Sequence, residues 1–336
     1  MSDVRHIEVS EDDDGQRLDR WLKKHVPEIP YVLAQKLMRK GAIRVNDKKA
    51  KPDTRLEAGQ EIRIPSVEEG TGHKEKARKD KPKDGPKLSS QDIEYIKSLV
   101  IYEDADVIAL NKPPGLATQG GTNIKRHVDG LLDGLTNKKG VRPRLVHRLD
   151  KDTSGVLLLA RSSQAAKELG RIFKSREIKK IYFALTAGVP EVREGEIKAP
   201  LAKAGGAGKE KMCIDEKEGK MAITEYRVLE HALNRAAFVA FWPRTGRTHQ
   251  IRAHAALVLE CPILGDGKYG GQDAIVEGLK TEKRVHLHAA RIVCPHPLRK
   301  GKLDIAAPLP PELKKSWKSL GFEGSHKEDP FPDIPA

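Results

Sequence analysis

The sequence predicts a protein of mixed helices and strands that folds in two parts. Near the start, apolar residues recur at helical spacing, whereas from Val100 onward short apolar strands alternate with turns and a few helices. Between the two parts the chain is rich in Lys, Gly and Pro and cannot bury enough apolar surface to fold alone. The predicted organisation is a small module, a flexible charged linker, a large domain and a polar, disordered tail, at residues 1–65, 66–92, 93–322 and 323–336.

The small module is predicted to contain two amphipathic helices followed by short strands. The first helix lies within residues 15–26 and the second runs from Tyr31 to Lys40, where Gly41 can end it. After Gly41 the apolar period changes from helical to two, which indicates strands around residues 43–45 and 61–65. The inward-facing positions of the two helices are Leu18, Trp21, Leu22, Val26, Leu33, Ala34, Leu37 and Met38.

The composition favours an acidic partner. Lys and Arg total 62 against 48 Asp and Glu, a formal net charge of +14 at pH 7, and a field of this sign attracts polyanions such as nucleic acid. The simpler interpretation is that surplus lysines confer solubility alone. Neither an apolar run of about 18 residues nor a leader-like N-terminus occurs, and Cys213, Cys261 and Cys294 have no C-x-x-C spacing. We therefore expect a cytoplasmic protein without disulfides.

The segment HRLDKDTSG, from His147 to Gly155, runs directly into the apolar strand VLLLA. It places Asp150 in a polar loop between Arg148 and Lys151. Neighbouring cations favour the ionised carboxylate, which a nucleophile or general base requires. The alternative is an ordinary turn whose Asp and Ser side chains cap backbone amides, and the residues taken alone favour that alternative.

A second segment, PRTGRTHQIRAH, concentrates cations within eleven positions. A turn at Thr245-Gly246 leads into a predicted helix that ends shortly after Leu259, before Pro262. A buried arginine needs a carboxylate partner, so one guanidinium facing a cleft would match Asp150. The alternative is a basic helix lying on RNA phosphates, and both can hold because different arginines point in different directions. The cationic side chains are Arg244, Arg247, His249, Arg252 and His254.

A third segment, KKIYFAL, is predicted to form a strand that carries Tyr182. Successive side chains of a strand point to opposite faces, so Tyr182 and Ala184 share one face while Ile181 and Phe183 share the other. A tyrosine in such a strand is more often part of the core than of a functional site.

Two further motifs suggest other functions. GDGKYG, Gly265 to Gly270, satisfies the phosphate-binding pattern G-x-G-x-x-G, which raises the possibility of a methyltransferase, but only Pro-Ile-Leu precedes it where a strand is required. Thiolate and imidazole ligands could also bind zinc, although their spacing matches no common zinc pattern. The residues of this second motif are His286, His288, Cys294 and His296.

Together, these segments resemble the ribosomal RNA pseudouridine synthases that join an N-terminal S4-type RNA-binding module to a catalytic domain. In the small module the resemblance rests on GQRLDRWL, RKGAIRVN and KPDTRLEAGQEIRIP. In the large domain it rests on YEDADVIALNKPPGLA, LVHRLDKDTSGVLLLA, KKIYFAL, TGRTHQIRAH, GDGKYG and LHAARI, in the family's order. The sequence is most similar to the subgroup that modifies several uridines of bacterial large-subunit RNA. The resemblance extends from Gly15 to about Phe322.

The resemblance implies an α+β fold. Its large domain would be a pseudouridine synthase domain with a central mixed, mostly antiparallel sheet along which the cleft runs. Its small module would be an α/β, S4-like RNA-binding domain. One segment departs from the family pattern: after Lys-Pro-Pro-Gly the chain reads Ala-Thr-Gln-Gly-Gly, where many relatives have a histidine.

Position by position, the resemblance also implies roles. Asp150 matches the nucleophilic aspartate, and Tyr182 matches the tyrosine that packs on the flipped base and can transfer a proton. Arg252 matches the basic residue that pairs with the aspartate, and Arg247 is the alternative for that pairing. Arg148 matches the arginine that enters the RNA stack when the target base leaves it. Substrate-binding residues are therefore expected to be Arg148, His147 and Arg247.

The implied reaction is the isomerisation of specific uridines of 23S ribosomal RNA to pseudouridine. It exchanges one bond between base and ribose for another, so neither a cofactor nor a metal is expected. The expected partner is large-subunit ribosomal RNA or its precursor particle, with no membrane contact, and the protein is expected to be a monomer. A competing function is a non-catalytic assembly factor on the same fold. The residues expected to contact RNA from the small module are Lys36, Arg39, Lys40 and Arg44.

Overall fold

The computed structural model describes seven stretches of the chain, residues 4–65, 88–121, 124–175, 177–204, 211–279, 281–324 and 328–334. The chain divides into two units, Met1–Lys83 and Asp84–Ala336, and each is described by itself. Most of the predicted linker, residues 66–87, lies outside the described stretches, but its last residues already belong to a helix that begins at Ser90. No described helix has both the length and the apolar character needed to cross a membrane.

The first unit packs two helices against a small antiparallel sheet. Its strands lie in the order β1-β4-β2-β3. The first strand, at the very start of the described chain, pairs with the last one, Val4 opposite Pro65, and was not predicted. The elements are β1 (Val4–Glu8), α1 (Leu18–His25), α2 (Tyr31–Lys40), β2 (Arg44–Val45), β3 (Lys48–Lys49) and β4 (Glu61–Pro65).

The two predicted helices of this unit are confirmed. The four apolar residues predicted to face inward from α1 are all buried, and Trp21 is fully excluded from solvent. Helix α2 has the predicted bounds and ends at Gly41, whose φ of 71° is the left-handed conformation that glycine adopts without steric cost. Ala34 and Met38 are buried beneath α2, while Leu33 and Leu37 pack at the edge of the same core.

The second unit is built on one large sheet. In the described part of the chain it contains 11 strands, in the order β11-β10-β12-β13-β9-β14-β8-β6-β5, with β15 beside β14 and β7 beside β8. The strands are β5 (Val100–Glu103), β6 (Val107–Lys112), β7 (Arg144–Leu145), β8 (Ser154–Ala160), β9 (Lys179–Ala187), β10 (Glu194–Lys203), β11 (Met212–Ile214), β12 (Lys220–Ala232), β13 (Ala236–Pro243), β14 (Leu287–Pro295) and β15 (Lys302–Ala306). The helices are α3 (Ser90–Ser98), α4 (Val128–Leu131), α5 (Ser163–Lys174), α6 (Gln250–Leu257) and α7 (Pro311–Ser319).

The pairing of these strands confirms the mixed, mostly antiparallel sheet. Among the described strands one pair is parallel, β8 with β14, and the others are antiparallel. The parallel pair meets at Gly155, where a Cβ atom would lie 2.1 Å from the carbonyl oxygen of Ala289. The glycine of the TSG segment is therefore required by the close approach of two backbones.

Alternation along β9 places its side chains in separate cores, as the sequence predicted. Ile181, Phe183 and Leu185 pack with Phe238 and Trp317 on one face of the sheet. On the other face, Ala184 is buried in a second core and Tyr182 packs at its edge. The strand thus presents Tyr182 on the face opposite the α7 side of the sheet.

The end of the chain differs from the predicted disordered tail. Within residues 328–334, Phe331 is buried and packs near Trp242, with 5.9 Å between the ring centroids. Lys179 at the start of β9 donates to the carboxylate of Asp329 and to the carbonyl of Phe331, each at 2.6 Å. Polar, Pro-rich composition predicted disorder here, whereas in the described residues 328–334 Asp329 and Phe331 contact Lys179 and Trp242 of the sheet.

Candidate active site

One cleft on the sheet, with a volume of about 680 Å³, contains all six residues predicted to act on substrate. Asp150 is the single acidic residue among the described residues that line it, and six Lys or Arg side chains surround it. The predicted residues are Asp150, Tyr182, Arg252, His147, Arg148 and Arg247. The six cations are Arg148, Lys174, Lys180, Arg244, Arg247 and Arg252.

The loop that carries Asp150 is fixed on both sides of the carboxylate. The hydroxyl of Thr118 donates to the carbonyl of Leu149 at 2.7 Å and accepts from the amide of the same residue at 3.1 Å. After Asp150, the carbonyl of Lys151 accepts from the amide of Gly115 at 2.8 Å. Because its neighbours are held, Asp150 keeps a defined position while its own side chain remains about a third exposed to the cleft.

Lys112, at the end of β6, is the buried support of this loop. Its ammonium group is fully excluded from solvent and donates to the carbonyls of Leu116 at 2.8 Å, Pro113 at 3.0 Å and Lys151 at 3.2 Å. Burial lowers the pKa of Lys112 to about 7, and the charges of Asp152 and Asp150 oppose that shift. The lysine therefore ties the Lys-Pro-Pro-Gly turn to the Asp150 loop.

The two residues before Leu149 differ in their surroundings. Arg148 is exposed and lines the cleft. His147 stacks on Phe173 at 4.3 Å and accepts the amide of Leu158 at its Nε2 atom. Burial lowers the pKa of His147 to about 3, so the ring is neutral. The histidine predicted to bind substrate thus has a structural task, holding the loop against β8.

Tyr182 and Lys180 project from β9 into the cleft, two residues apart and hence on one side of the strand. Burial, followed by the charge of Asp150, raises the pKa of Tyr182 above its ordinary value, so its phenol is protonated at neutral pH. Burial lowers the pKa of Lys180 to about 8. The tyrosine therefore presents an aromatic ring and a protonated hydroxyl near the carboxylate.

Arg252 makes its direct ion pair with Asp266 and interacts with Asp150 through its charge. Its Nε and Nη2 atoms each donate to a carboxylate oxygen of Asp266 at 2.7 Å, and both side chains are almost fully buried. The alternative, Arg247, donates its Nε to the carbonyl of Met221 at 3.1 Å. Helix α6 begins at Gln250, and Asp266 lies beyond its end, 14 positions after Arg252. The spacing of residues along a helix does not reveal such a contact between separate segments.

His249 is the side chain that faces Asp150. In the described part of the chain it is the one basic residue with a nitrogen within 4.0 Å of the carboxylate, with 3.9 Å between Nε2 and Oδ2. Its Nδ1 lies 3.0 Å from the hydroxyl of Tyr269. Burial, as the main cause, lowers the pKa of His249.

The GDGKYG loop supports the cleft and lacks the surroundings of a nucleotide-binding loop. Ile263 before it forms only an isolated bridge, and the residues after it form a 3₁₀ turn, Gly271–Ala274, where an α-helix would be needed. Its aspartate, Asp266, accepts from Arg252 and from the backbone amides of Lys268 and Tyr269. The motif therefore supports two residues of the site, because Asp266 holds Arg252 and Tyr269 contacts His249.

The four residues considered as alternative zinc ligands do not form one group. His288 lies between Ser154 and the carbonyl of Ala307, while His286 lies between Ser316 and the carbonyl of Leu264. Burial raises the pKa of Cys294 to about 12, which disfavours a thiolate. Elsewhere in the described residues, the acidic cluster that includes His296 is already engaged by Tyr102 and Arg299.

Three of the four basic residues predicted to contact RNA from the first unit are exposed on or beside α2: Lys36, Arg39 and Lys40. The fourth, Arg44, is half-buried and donates to the carbonyls of Gly41 at 3.1 Å and Asp47 at 3.0 Å. It therefore stabilises the turn between β2 and β3 as well as adding charge to this surface.

Sequence reasoning missed five residues that build the site. Weak signals existed: a lysine directly between an apolar strand and Pro-Pro-Gly, and a histidine directly before Gln-Ile-Arg. The remaining positions depend on contacts between distant segments, which residue spacing does not reveal. The five residues are Lys112, Thr118, His249, Asp266 and Tyr269.

Comparison with known proteins matches both units. The family model described as RNA pseudouridylate synthase matches residues 106–257, and the S4 domain model matches residues 16–62. Together with the cationic cleft around Asp150, these matches define an RNA-modifying enzyme that carries an S4 domain.

Full-length relatives and solved structures agree. The chain is 38% identical over 285 residues to the ribosomal large subunit pseudouridine synthase C of Rickettsia conorii, covering 83% of this chain and 88% of that one. It is 34% identical to the protein of the same name from Escherichia coli, covering 94% and 97%. The structure of human RNA pseudouridylate synthase domain containing 4 superimposes with a TM-score of 0.60 at 28% identity, over 70% of this chain and 98% of that one. The chain belongs to the RNA pseudouridylate synthase family.

Proposed function

We propose that the protein isomerises specific uridines of large-subunit ribosomal RNA to pseudouridine, with Asp150 as the nucleophile. The observation that carries this proposal is the cleft itself: one carboxylate, held by its loop and partly exposed, surrounded by cations and close to a partly buried tyrosine. Relatives named for the ribosomal large subunit, matched along nearly their whole length, support the choice of RNA.

Access to the target base requires that it leave the RNA stack. A stacked uridine is out of reach of a carboxylate inside a cleft, and eversion costs a few kcal/mol. Arg148, exposed at the mouth of the cleft, is placed to fill the gap left in the stack. Tyr182 offers its ring to the everted uracil, and such stacking contributes about 1–3 kcal/mol per base.

The isomerisation then exchanges two bonds. The bond from N1 of uracil to C1′ of ribose breaks, and a bond from C5 to C1′ forms; C5 loses a proton and N1 gains one, so the reaction is balanced without redox change. Asp150 attacks either the ribose or the ring, and both routes need an ionised carboxylate. The surrounding cations favour that ionised form.

RNA affinity is proposed to come in part from the S4 domain. Lys36, Arg39 and Lys40 form an exposed basic surface suited to phosphate and shape recognition of folded RNA. We further propose that the enzyme acts as a monomer in the cytoplasm, on naked RNA or on a precursor particle. The three free cysteines support a reducing compartment.

The test is tritium release from large-subunit transcripts labelled at C5 of uracil. Wild type is expected to release tritium and Asp150→Ala is not, with both folded. Asp273→Asn is the control: this acid is exposed and does not line the cleft, so activity should be retained. Equal release by wild type and Asp150→Ala would instead support a non-catalytic assembly factor. Mapping pseudouridine in ribosomal RNA from a deletion strain identifies the uridines.

A further inference from the structure

The residue before α6 has an unusual backbone. His249 has φ 52° and ψ 24°, the left-handed region that side chains other than glycine rarely adopt. Of the described non-glycine residues with positive φ, His249 alone lines the cleft. Such strain persists only where surrounding contacts impose it, and it clusters at functional sites. The described non-glycine residues with positive φ are Asn46, Asp47, Leu233, His249 and Glu260.

The contacts that impose this geometry come from Gln250 and Tyr269. The side-chain oxygen of Gln250 accepts from the hydroxyl of Thr245 at 2.7 Å and from the amide of Arg247 at 3.0 Å, which closes the loop in front of the helix. The ring of Tyr269 packs edge-on against the imidazole of His249, with centroids 5.7 Å apart. The loop conformation therefore aims the imidazole at the floor of the cleft.

A chain of hydrogen bonds assigns the proton on this imidazole. The hydroxyl of Tyr269 accepts the backbone amide of Met212 at 2.9 Å, so its own hydrogen remains to be donated. The acceptor available 3.0 Å away is Nδ1 of His249. With Nδ1 acting as an acceptor, the neutral ring carries its proton on Nε2, which faces Oδ2 of Asp150 at 3.9 Å.

Arg252, the expected partner, acts on Asp150 through its charge, because its Nε and Nη2 hydrogens are donated to Asp266. Arg252 is held by both oxygens of Asp266, and Arg247 by a backbone carbonyl. A neutral N–H donor to one carboxylate oxygen leaves the other free to attack, and it fixes the direction of that attack. Catalytic hydrogen bonds are often long in the free enzyme and shorten when substrate binds.

We propose that His249, with its tautomer set by Tyr269, is the positioning residue for Asp150. When RNA fills the cleft, Nε2–H closes on Oδ2 and holds the carboxylate ionised and oriented. This inference rests on the proposed function of Asp150 as nucleophile. It assigns the GDGKYG loop two tasks, because Asp266 anchors Arg252 and Tyr269 sets His249.

The experiment compares three variants of the full chain by tritium release, at several RNA concentrations and pH values. His249→Phe keeps a ring without a donor, and its kcat should fall about 10- to 100-fold with KM within about twofold. His249→Gln restores an N–H near the position of Nε2 and should recover most of that loss. Tyr269→Phe leaves the histidine in place without its hydroxyl partner and should give an intermediate loss.

The pH profile separates positioning from mere structure. Loss of the donor removes a hydrogen bond to the charged carboxylate, so the acidic limb of kcat/KM should move to higher pH in His249→Phe and in the same direction in Tyr269→Phe. The other charged groups near Asp150 and His249 are the same in every variant. A shift of the acidic limb therefore reports the loss of the donor. The groups whose charges act on Asp150 or His249 are Lys112, Tyr182, His249, Arg252, Asp266, Lys268 and Tyr269.

Three results overturn the proposal. One is wild-type kcat in His249→Phe; another is an equal loss in the Phe and Gln variants with an unmoved acidic limb, which marks a purely structural role. If His249→Phe does not fold, an unchanged acidic limb of kcat/KM in Tyr269→Phe overturns the proposal. Tritium release by Asp150→Ala would instead overturn the proposed function itself, so the two failures are distinguishable.

Discussion

The protein has two basic regions whose cations are used in different ways. In and beneath the cleft, two basic side chains are built into the fold: Arg252 pairs with a buried carboxylate, and Lys112 is enclosed by three carbonyls beneath the Asp150 loop. On the S4 domain, Lys36, Arg39 and Lys40 extend into solvent. Enclosed charges keep their geometry and are weakly screened, whereas exposed charges attract over a distance and weaken in salt.

This difference separates chemistry from affinity. A site that must aim one carboxylate at one atom needs fixed neighbours, so the cleft uses buried pairs and shared backbone contacts. A surface that must find folded RNA needs charge but does not need ordered side chains. Long exposed side chains supply such charge. Substitutions in the two regions should therefore have different signatures: stability and kcat in the cleft, salt-dependent affinity on the S4 domain.

The largest effect is expected from Asp266→Asn. The substitution keeps the shape of the side chain but leaves the buried guanidinium of Arg252 without a counter-charge, a change that costs about 3–5 kcal/mol. Urea unfolding in a Trp21→Phe background measures it, since fluorescence then reports only Trp242 and Trp317 of the second unit. The exposed Asp273→Asn, in the same region of the chain, should change the free energy of unfolding by less than about 0.5 kcal/mol. If both variants have the same urea midpoint, the ion pair between Arg252 and Asp266 does not stabilise the fold.

A smaller effect, confined to turnover, is expected from Tyr182→Phe. The ring that stacks on the base is kept, whereas the hydroxyl, held protonated by burial and by the charge of Asp150, is lost. We expect kcat to fall by about 100-fold and RNA affinity to stay within about twofold, as measured by tritium release and by titration. Tyr226→Phe is the control, since its buried hydroxyl contacts the carbonyl of Val192 away from the cleft. A large loss of binding would mark Tyr182 as structural.

The same contrast explains which features the sequence predicted. Both helices of the first unit followed from apolar spacing, and the Gly41 cap from one residue type, because these are local preferences. The resemblance added the mixed sheet and the cleft residues, since several motifs in the family's order carry information that spacing lacks.

The pairing of the cleft residues could not be predicted in this way. Arg252 and Asp266 are 14 positions apart, and Asp266 lies in a loop where it also accepts the backbone amide of Lys268. The hydrogen bond from Lys179 to Asp329 joins residues 150 positions apart. A family pattern identifies such residues, but only the folded chain shows which of them meet.

The smallest effect, and the one most sensitive to salt, is expected from the triple variant Lys36→Ala, Arg39→Ala and Lys40→Ala. Each cation that contacts a phosphate releases counterions, so the slope of log affinity against log salt should become shallower by roughly two to three for the three contacts. The catalytic rate on saturating RNA should not change, because the cleft is intact. The matched control removes the same charge from the exposed face of α7, at Lys314, Lys315 and Lys318. If both triple variants flatten the slope equally, net charge and not this surface governs binding, and the division between an enclosed and an exposed basic region fails.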